Sequence, residues 1–350
     1  MSAPPDLPRA LGPVLAQARW RERPEDFEVE EILSFAPSGQ GPHWLLRVEK
    51  RGANTRWVAG ELARHAGIAA SEVGFAGIKD RHALARQWFS VPAGRRDAAA
   101  WQSVAGEGYR VLEVCGNDRK LRRGALRGNR FRIALRGADW PRAALEERLA
   151  AIAAGGVPNY FGPQRFGRQG SNLTAAQAWA REGVAPRERS VRGFALSAAR
   201  AALFNAVLAR RVGEGSWSSL ATGDLVMLQG TNSHFPVDAV DELLTERLNR
   251  FDIHPSGPLW GQGLPRTRGA VQALEIEVSK AWAELARLCE SQRLDQERRA
   301  LRMPVSGFES RFEGTDLWLS FELGRGQFAT AVLHELCELQ AGSPPEAAED

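Results

Sequence analysis

LWLSFEL, Leu317 to Leu323, sets Leu317, Leu319, Phe321 and Leu323 in alternation with Trp318, Ser320 and Glu322. That is the period of a strand with one apolar face. A turn at Gly324-Arg325-Gly326 follows, then a helix expected from about Phe328 to Leu339. A strand so late in the chain needs partners for its backbone groups, and the candidates lie far upstream. Phe27-Glu28-Val29 opens one alternating stretch after Pro24, Trp44 to Glu49 carries a second, and Phe131 to Arg136 a third.

Between early and late strands the pattern turns helical. Leu145, Leu149 and Ile152 recur at helical spacing until Gly155-Gly156 and Pro158 end the run. Ser197 is expected to cap a helix carrying Leu203, Phe204, Val207 and Leu208. Trp282, Leu285, Leu288 and Cys289 predict another from about Val278 to Arg302, closed by Pro304, and Pro255 to Pro265 reads as loop. In the first part, Val58, Leu62 and His65 predict a helix over Asn54 to His65. The chain therefore reads as α+β. A discontinuous sheet-bearing domain, residues 1–154 and 305–350, is expected around a mostly helical insertion, residues 155–304, with a mobile acidic tail over 342–350.

The 350 residues are 43% hydrophobic and 25% charged, an ordinary globular composition. No run approaches the roughly 18 apolar residues of a membrane span, and MSAPPDLPRALG lacks the pattern of a signal peptide, so a cytoplasmic protein is expected. Three distant cysteines, Cys115, Cys289 and Cys337, argue against a disulfide framework. His334 and Cys337 are half a metal site at best, so no metal is expected. Of 46 basic residues only Lys50, Lys79, Lys120 and Lys280 are lysine, leaving 42 arginines. From Arg119 to Arg136 stand Arg119, Lys120, Arg122, Arg123, Arg127, Arg130, Arg132 and Arg136, with no acid among them. Such a block can neutralise several phosphates, or be a solvated hairpin.

The densest chemistry is GFAGIKDRHALARQWFSV, Gly74 to Val91. Lys79 and Arg81 flank Asp80, and flanking cations favour an ionised carboxylate that can act as nucleophile or base. A solvated charged turn would look the same. GVPNYFGPQRFGRQGSN, Gly156 to Asn172, adds aromatic residues beside Arg165 and Arg168. Those groups suit stacking on unpaired bases and gripping phosphates, or anchoring a domain junction.

GFAGIKDRHA, VPNYFGPQRFG and RGFALSAARAALFNAVL (Arg192 to Leu208) together resemble the TruD family of tRNA pseudouridine synthases. RPEDFEVEE (Arg23 to Glu31), LRGNRF (Leu126 to Phe131), HPSGPLWG (His254 to Gly261) and GQFATAVLHEL (Gly326 to Leu336) match in the same order, so the resemblance covers nearly the whole chain. It implies a pseudouridine synthase fold, a mixed and largely antiparallel sheet interrupted by a mostly helical TRUD insertion domain. It implies that Asp80 is the catalytic aspartate, and that Phe27, Asn129 and Phe328 contact the substrate. Arg21 and Lys79 are candidate electrostatic partners of Asp80. By the same resemblance the expected reaction is conversion of uridine 13 in the D-arm of tRNA(Glu) to pseudouridine, with no cofactor. The expected partner is tRNA, without membrane or metal, and a monomer is the default. The rival reading is a non-catalytic tRNA-binding protein, which would need the basic and aromatic surfaces but not Asp80. A methyltransferase would want a GxGxxG loop after a strand, which Gly257, Gly261 and Gly263 do not form.

Overall fold

In the computed structural model, which describes residues 7–94 and 96–341, Asp316–Gly324 pairs antiparallel with Leu126–Leu135 on one side and Ser306–Glu313 on the other. Leu126–Leu135 in turn pairs antiparallel with Phe27–Leu33. The late strand thus closes onto the early chain, as its alternation requires. The nine-stranded sheet continues through Leu84–Pro92 and His43–Arg51 to Tyr109–Asn117. Its pairings are antiparallel except that of Phe27–Leu33 with Leu84–Pro92. The sheet is mixed and largely antiparallel, in an α+β chain. The tail over 342–350 lies outside the described residues.

The chain forms two compact units, one of Leu15–Leu145, Val305–Gly326 and 337–341, the other of 7–14, Glu146–Pro304 and Gln327–Leu336. In the first, one sheet face buries Leu46, Val48, Phe89 and Val111 with Val58 and Leu62 of the helix Thr55–Ala66. Asn54 caps that helix by accepting from Arg56 N, and Gly67 ends it in the left-handed region at φ 68°.

The opposite sheet face is ionic. One row runs Glu113–Arg47–Glu30–Arg130–Glu322–Arg127. A second runs Arg110–Glu49–Arg86–Glu28–Arg132–Glu313. Each row alternates sign and cancels. Exposed pairs of this kind contribute roughly 0–1 kcal/mol each, but they decide where free positive charge remains. Arg136 is likewise held by Asp26 and Asp316. The basic run from Arg119 to Arg136 is therefore not one phosphate-neutralising block. Its second half is answered by acids on neighbouring strands, and Arg122 and Arg123 remain exposed without a carboxylate partner among the described residues.

The second unit carries an antiparallel four-stranded sheet, in order His234–Pro236, Leu225–Leu228, Ile253–Leu259 and Glu297–Ala300. Several local expectations are corrected here. The predicted Val278–Arg302 helix is instead Gly269–Ala281 and Ala283–Ser291, broken at Trp282, followed by the Glu297–Ala300 strand. The helical apolar spacing stops at Cys289, and the charged residues after it follow a sheet edge. Pro255 and Pro258, expected in a loop, lie within the strand Ile253–Leu259. Pro255 contributes its carbonyl, which accepts from Leu301 N at 2.8 Å, so the missing N–H is not needed there. Ser197 caps nothing, because the helix runs Arg189–Gly213. That helix is long and apolar enough to cross a membrane by length and composition, but Ala198, Ala202, Leu203, Phe204 and Leu208 are buried in the core of the unit. The helix expected to reach Leu339 ends at His334, and Cys337–Ala341 forms a parallel strand beside Ala16–Trp20.

Candidate active site

The pairing of Phe27–Leu33 with Leu84–Pro92 lasts only from Glu28 opposite Leu84 to Glu30 opposite Arg86, and Gly74–Phe75 takes over at Phe89 and Ser90. The sheet forks between them. Glu31 fills the fork: its carboxylate accepts from Trp88 N at 3.0 Å, from Gln87 Nε2 at 3.4 Å and from Lys79 Nζ at 2.5 Å. Three donors, one of them cationic, compensate a fully buried carboxylate. Lys79 N also donates to Thr55 Oγ1 at 3.0 Å. These bonds fix the loop just ahead of Asp80.

Along that loop burial alternates. Ile78 is exposed, Lys79 buried and Asp80 exposed, so the two ionised side chains leave in different directions. Lys79 turns inward to Glu31 and makes no ion pair with Asp80, contrary to what their adjacency suggested. Arg21 does pair: its Nη1 donates to Asp80 Oδ2 at 2.7 Å. Asp80 Oδ1 accepts from His82 N at 3.0 Å.

Arg21 is placed by its own backbone and by two rings. It sits at φ 56°, in the left-handed region that non-glycine residues seldom adopt. Its guanidinium lies 4.0 Å from the ring centroid of Trp20 and 4.0 Å from that of Phe27. Those rings meet edge to face at 5.7 Å. Burial pushes the Arg21 guanidinium below the usual arginine range, and Asp80 opposes that shift. The turn Pro24–Asp26 leads into Phe27, and Asp26, fully buried, is pinned by Arg136 and by Arg23 N. Strain stored at a residue so firmly held on all sides is a common feature of functional sites.

Phe27 is 6% exposed and packs against Phe131, which packs against Phe321. Asn129 lies opposite Glu31 on one side and Leu323 on the other. Its buried Oδ1 has no hydrogen-bond partner among the described residues. A carbonyl left bare in this way costs on the order of 1–3 kcal/mol unless a ligand donates to it.

Sequence reasoning missed Lys50. It is fully buried, and its ammonium donates to Asp80 O at 2.6 Å, Ala53 O at 2.9 Å and Lys79 O at 3.5 Å. Burial pulls it down to about 8, Lys79 adds to that, and Asp80 and Glu31 oppose it. A signal was present, since only four lysines stand among 42 arginines and two of them meet here. A compact ammonium fits a buried carbonyl cluster where a forked guanidinium would not.

Phe328 belongs to the other compact unit. It precedes the helix Ala329–His334 and lies 6.0 Å from Phe161, ring to ring, with the guanidinium groups of Arg165 and Arg299 at 5.8 and 5.9 Å. The five residues Arg21, Phe27, Lys79, Asp80 and Asn129 share the first unit.

A family model described as tRNA pseudouridine synthase D (TruD) matches residues 16–181 and 180–336. The chain is 46% identical over 342 residues to tRNA pseudouridine synthase D of Methylococcus capsulatus, covering 97% of each protein. It is 46% identical over 331 residues to the protein of that name from Nitrosococcus oceani, covering 94% of this chain and 92% of the relative. Among solved structures, a putative tRNA pseudouridine synthase D from Methanosarcina mazei superposes with a TM-score of 0.70 at 21% identity, covering 92% and 94% of the two chains. That last likeness speaks to the fold.

Proposed function

The chain belongs to the TruD family of tRNA pseudouridine synthases and is an isomerase, and on that premise we propose that Asp80 is its catalytic carboxylate and uridine 13 of tRNA(Glu) its target. The domain division that goes with this reading is residues 1–154 and 305–350 catalytic and 155–304 the inserted TRUD domain, whereas the compact units group 7–14, 146–154 and 327–336 with the insert. The observation that carries the proposal is the 2.7 Å pair of Asp80 with Arg21, whose backbone is left-handed and whose guanidinium lies against two rings. It holds a carboxylate in one orientation while leaving it accessible, with 36% of its side chain exposed.

The reaction breaks the N1–C1′ bond of uridine and joins C5 to C1′, with no redox change. Asp80 has three routes open: attack on C1′, attack on the base, or removal of the C2′ proton. A base within helical RNA must leave the stack to be reached. Phe27 offers it a ring, and base–aromatic stacking is worth roughly 1–3 kcal/mol. The Arg21 guanidinium now occupies one face of that ring, so either the base uses the other face or Arg21 yields. Asn129 Oδ1, bare and buried, suits the N3–H of uracil, and Phe328 supplies a further aromatic contact in this reading. Pseudouridine mapping of tRNA incubated with the purified protein tests the assignment. The modification is expected at uridine 13 of tRNA(Glu), and its appearance only elsewhere would refute that target.

Within the basic run, positive charge without a carboxylate partner among the described residues is left only in the first half. Arg122→Ala with Arg123→Ala is expected to lower the slope of log affinity for tRNA against log salt by about 1.4 to 1.8, at roughly 0.7–0.9 per phosphate. Arg130→Ala with Arg132→Ala, which removes residues already neutralised by Glu30, Glu322 and Glu28, is expected to leave the slope unchanged. Equal slopes in both double variants would refute the division.

A further inference from the structure

We propose that Arg165 and Thr330, with Arg299 beside Arg165, form a binding site for one phosphodiester of the RNA substrate, a contact distinct from the chemistry at Asp80. The proposal rests on the reading of the chain as a tRNA-modifying enzyme. All of these residues lie in the compact unit containing Glu146–Pro304 and Gln327–Leu336.

Arg165 sits in the short turn Pro163–Phe166, which Gly167 closes at φ 81°. Its guanidinium stands 5.1 Å from the ring centroid of Phe161 and 5.8 Å from that of Phe328. Nη1 donates to Ser197 Oγ at 3.0 Å, whereas Nε is buried without a partner among the described residues. Among the described residues no carboxylate reaches Arg165. Burial lowers its affinity for a proton from the usual arginine value. Arg299 is a neighbouring cation: burial and the charge of Arg165 together push Arg299 down to about 9. Arg299 lies 4.1 Å from the Phe161 ring and donates through Nη2 to Asn159 Oδ1 at 2.5 Å. Both guanidinium groups lie against the Phe161 ring, and two like charges so placed repel, a repulsion that an arriving anion lowers.

A second orphan borders the same turn. Thr330 Oγ1 is buried with no hydrogen-bond partner among the described residues. It faces Gly162, where a Cβ would come within 2.4 Å of it, and Gly162 O is the carbonyl to which Arg165 N donates at 3.0 Å. Here both donors stay unused beside the Arg165 guanidinium, which no carboxylate among the described residues reaches, and two aromatic faces. An anion flanked by a flat base satisfies all of these at once, and RNA presents that combination at every nucleotide.

The test is equilibrium binding of tRNA to the full chain across a salt series. Arg165→Gln, which removes the charge and keeps an amide at about the position of Nε while giving up the Nη1 bond to Ser197, is expected to lower affinity several-fold and to reduce the salt slope by roughly 0.7–0.9, one phosphate. Thr330→Val is expected to lower affinity with the slope unchanged, while its melting temperature stays level or rises, because a buried hydroxyl without a partner costs stability. A structural role predicts the reverse for Thr330→Val: unchanged affinity. Should Arg165→Gln fail to fold, Arg165→Lys replaces it, with the slope expected to hold and affinity to fall as a fork becomes a point charge. Wild-type affinity and slope in the Arg165 variant would overturn the proposal. The outcome does not depend on turnover. A wild-type protein that binds tRNA through Arg165 yet forms no pseudouridine would instead sink the functional reading above.

Discussion

Asp80→Asn is expected to reduce pseudouridine formation by a factor on the order of 10⁴ or more, the scale seen when a single catalytic group is removed. The substitution isolates the charge. Asparagine keeps the size of the side chain, and its carbonyl oxygen can still accept from His82 N, as Asp80 Oδ1 does at 3.0 Å. Lys50 holds the main-chain carbonyl of residue 80 and not the carboxylate, so the loop keeps its anchor. What is lost is the anion facing Arg21. Both partners are partly exposed, so that loss costs up to about 1 kcal/mol of stability. Affinity for tRNA is expected to stay within a few-fold, because Arg122, Arg123 and Arg165 are untouched. Turnover within tenfold of wild type would remove Asp80 from the mechanism and favour a non-catalytic tRNA-binding role.

The parts of this structure legible in the sequence are those in which one local pattern serves one interaction. Leu317 to Leu323 alternates because one face is buried, and Phe131 to Leu135 alternates for the same reason, so their pairing could be anticipated. Glu297–Ala300 is also a strand, yet Glu297, Arg298, Arg299 and Ala300 carry no alternation of apolar residues. Arg298 faces Glu275 and Ser256, and Arg299 faces Asn159. Its order comes from partners distant in sequence, and a window of local residues holds no trace of them. The basic run misled in the same way, since Glu28, Glu30 and Glu322 answer it from other strands. Lys79 shows the limit at the level of one bond. Adjacency to Asp80 suggested a charge pair, but neighbours along a chain that alternates in burial point apart. The inward neighbour found the buried Glu31.

Lys50→Met is the other large expected effect, and it falls on rate more than on stability. Two opposing terms nearly cancel in the fold. The drop of the Lys50 ammonium from the ordinary 10.5 to about 8 means that burying its charge costs about 3–4 kcal/mol, at roughly 1.4 kcal/mol per pH unit. Methionine removes that cost but leaves the carbonyls of Ala53, Asp80 and Lys79 without their donor, at on the order of 1–3 kcal/mol for each one left dry. The net destabilisation is expected to be about 1–3 kcal/mol at pH 7. The pH dependence identifies its source. Below pH 8 the lysine is protonated in both folded and unfolded chains, and between about 8 and 10.5 the folded chain holds fewer protons than the unfolded one. Wild-type stability therefore gains with pH across that window, and the Met variant is expected to lack this gain. Turnover tells the positioning role from a merely structural one. The 2.6 Å bond to Asp80 O fixes the backbone that aims the carboxylate, and an error near 1 Å at a reacting group costs on the order of 10²-fold. At a pH and temperature where both proteins are fully folded, kcat is expected to fall by that order while tRNA affinity holds. A folded Lys50→Met protein with kcat within threefold of wild type would show that Arg21 and the Glu31–Lys79 pair suffice to aim Asp80.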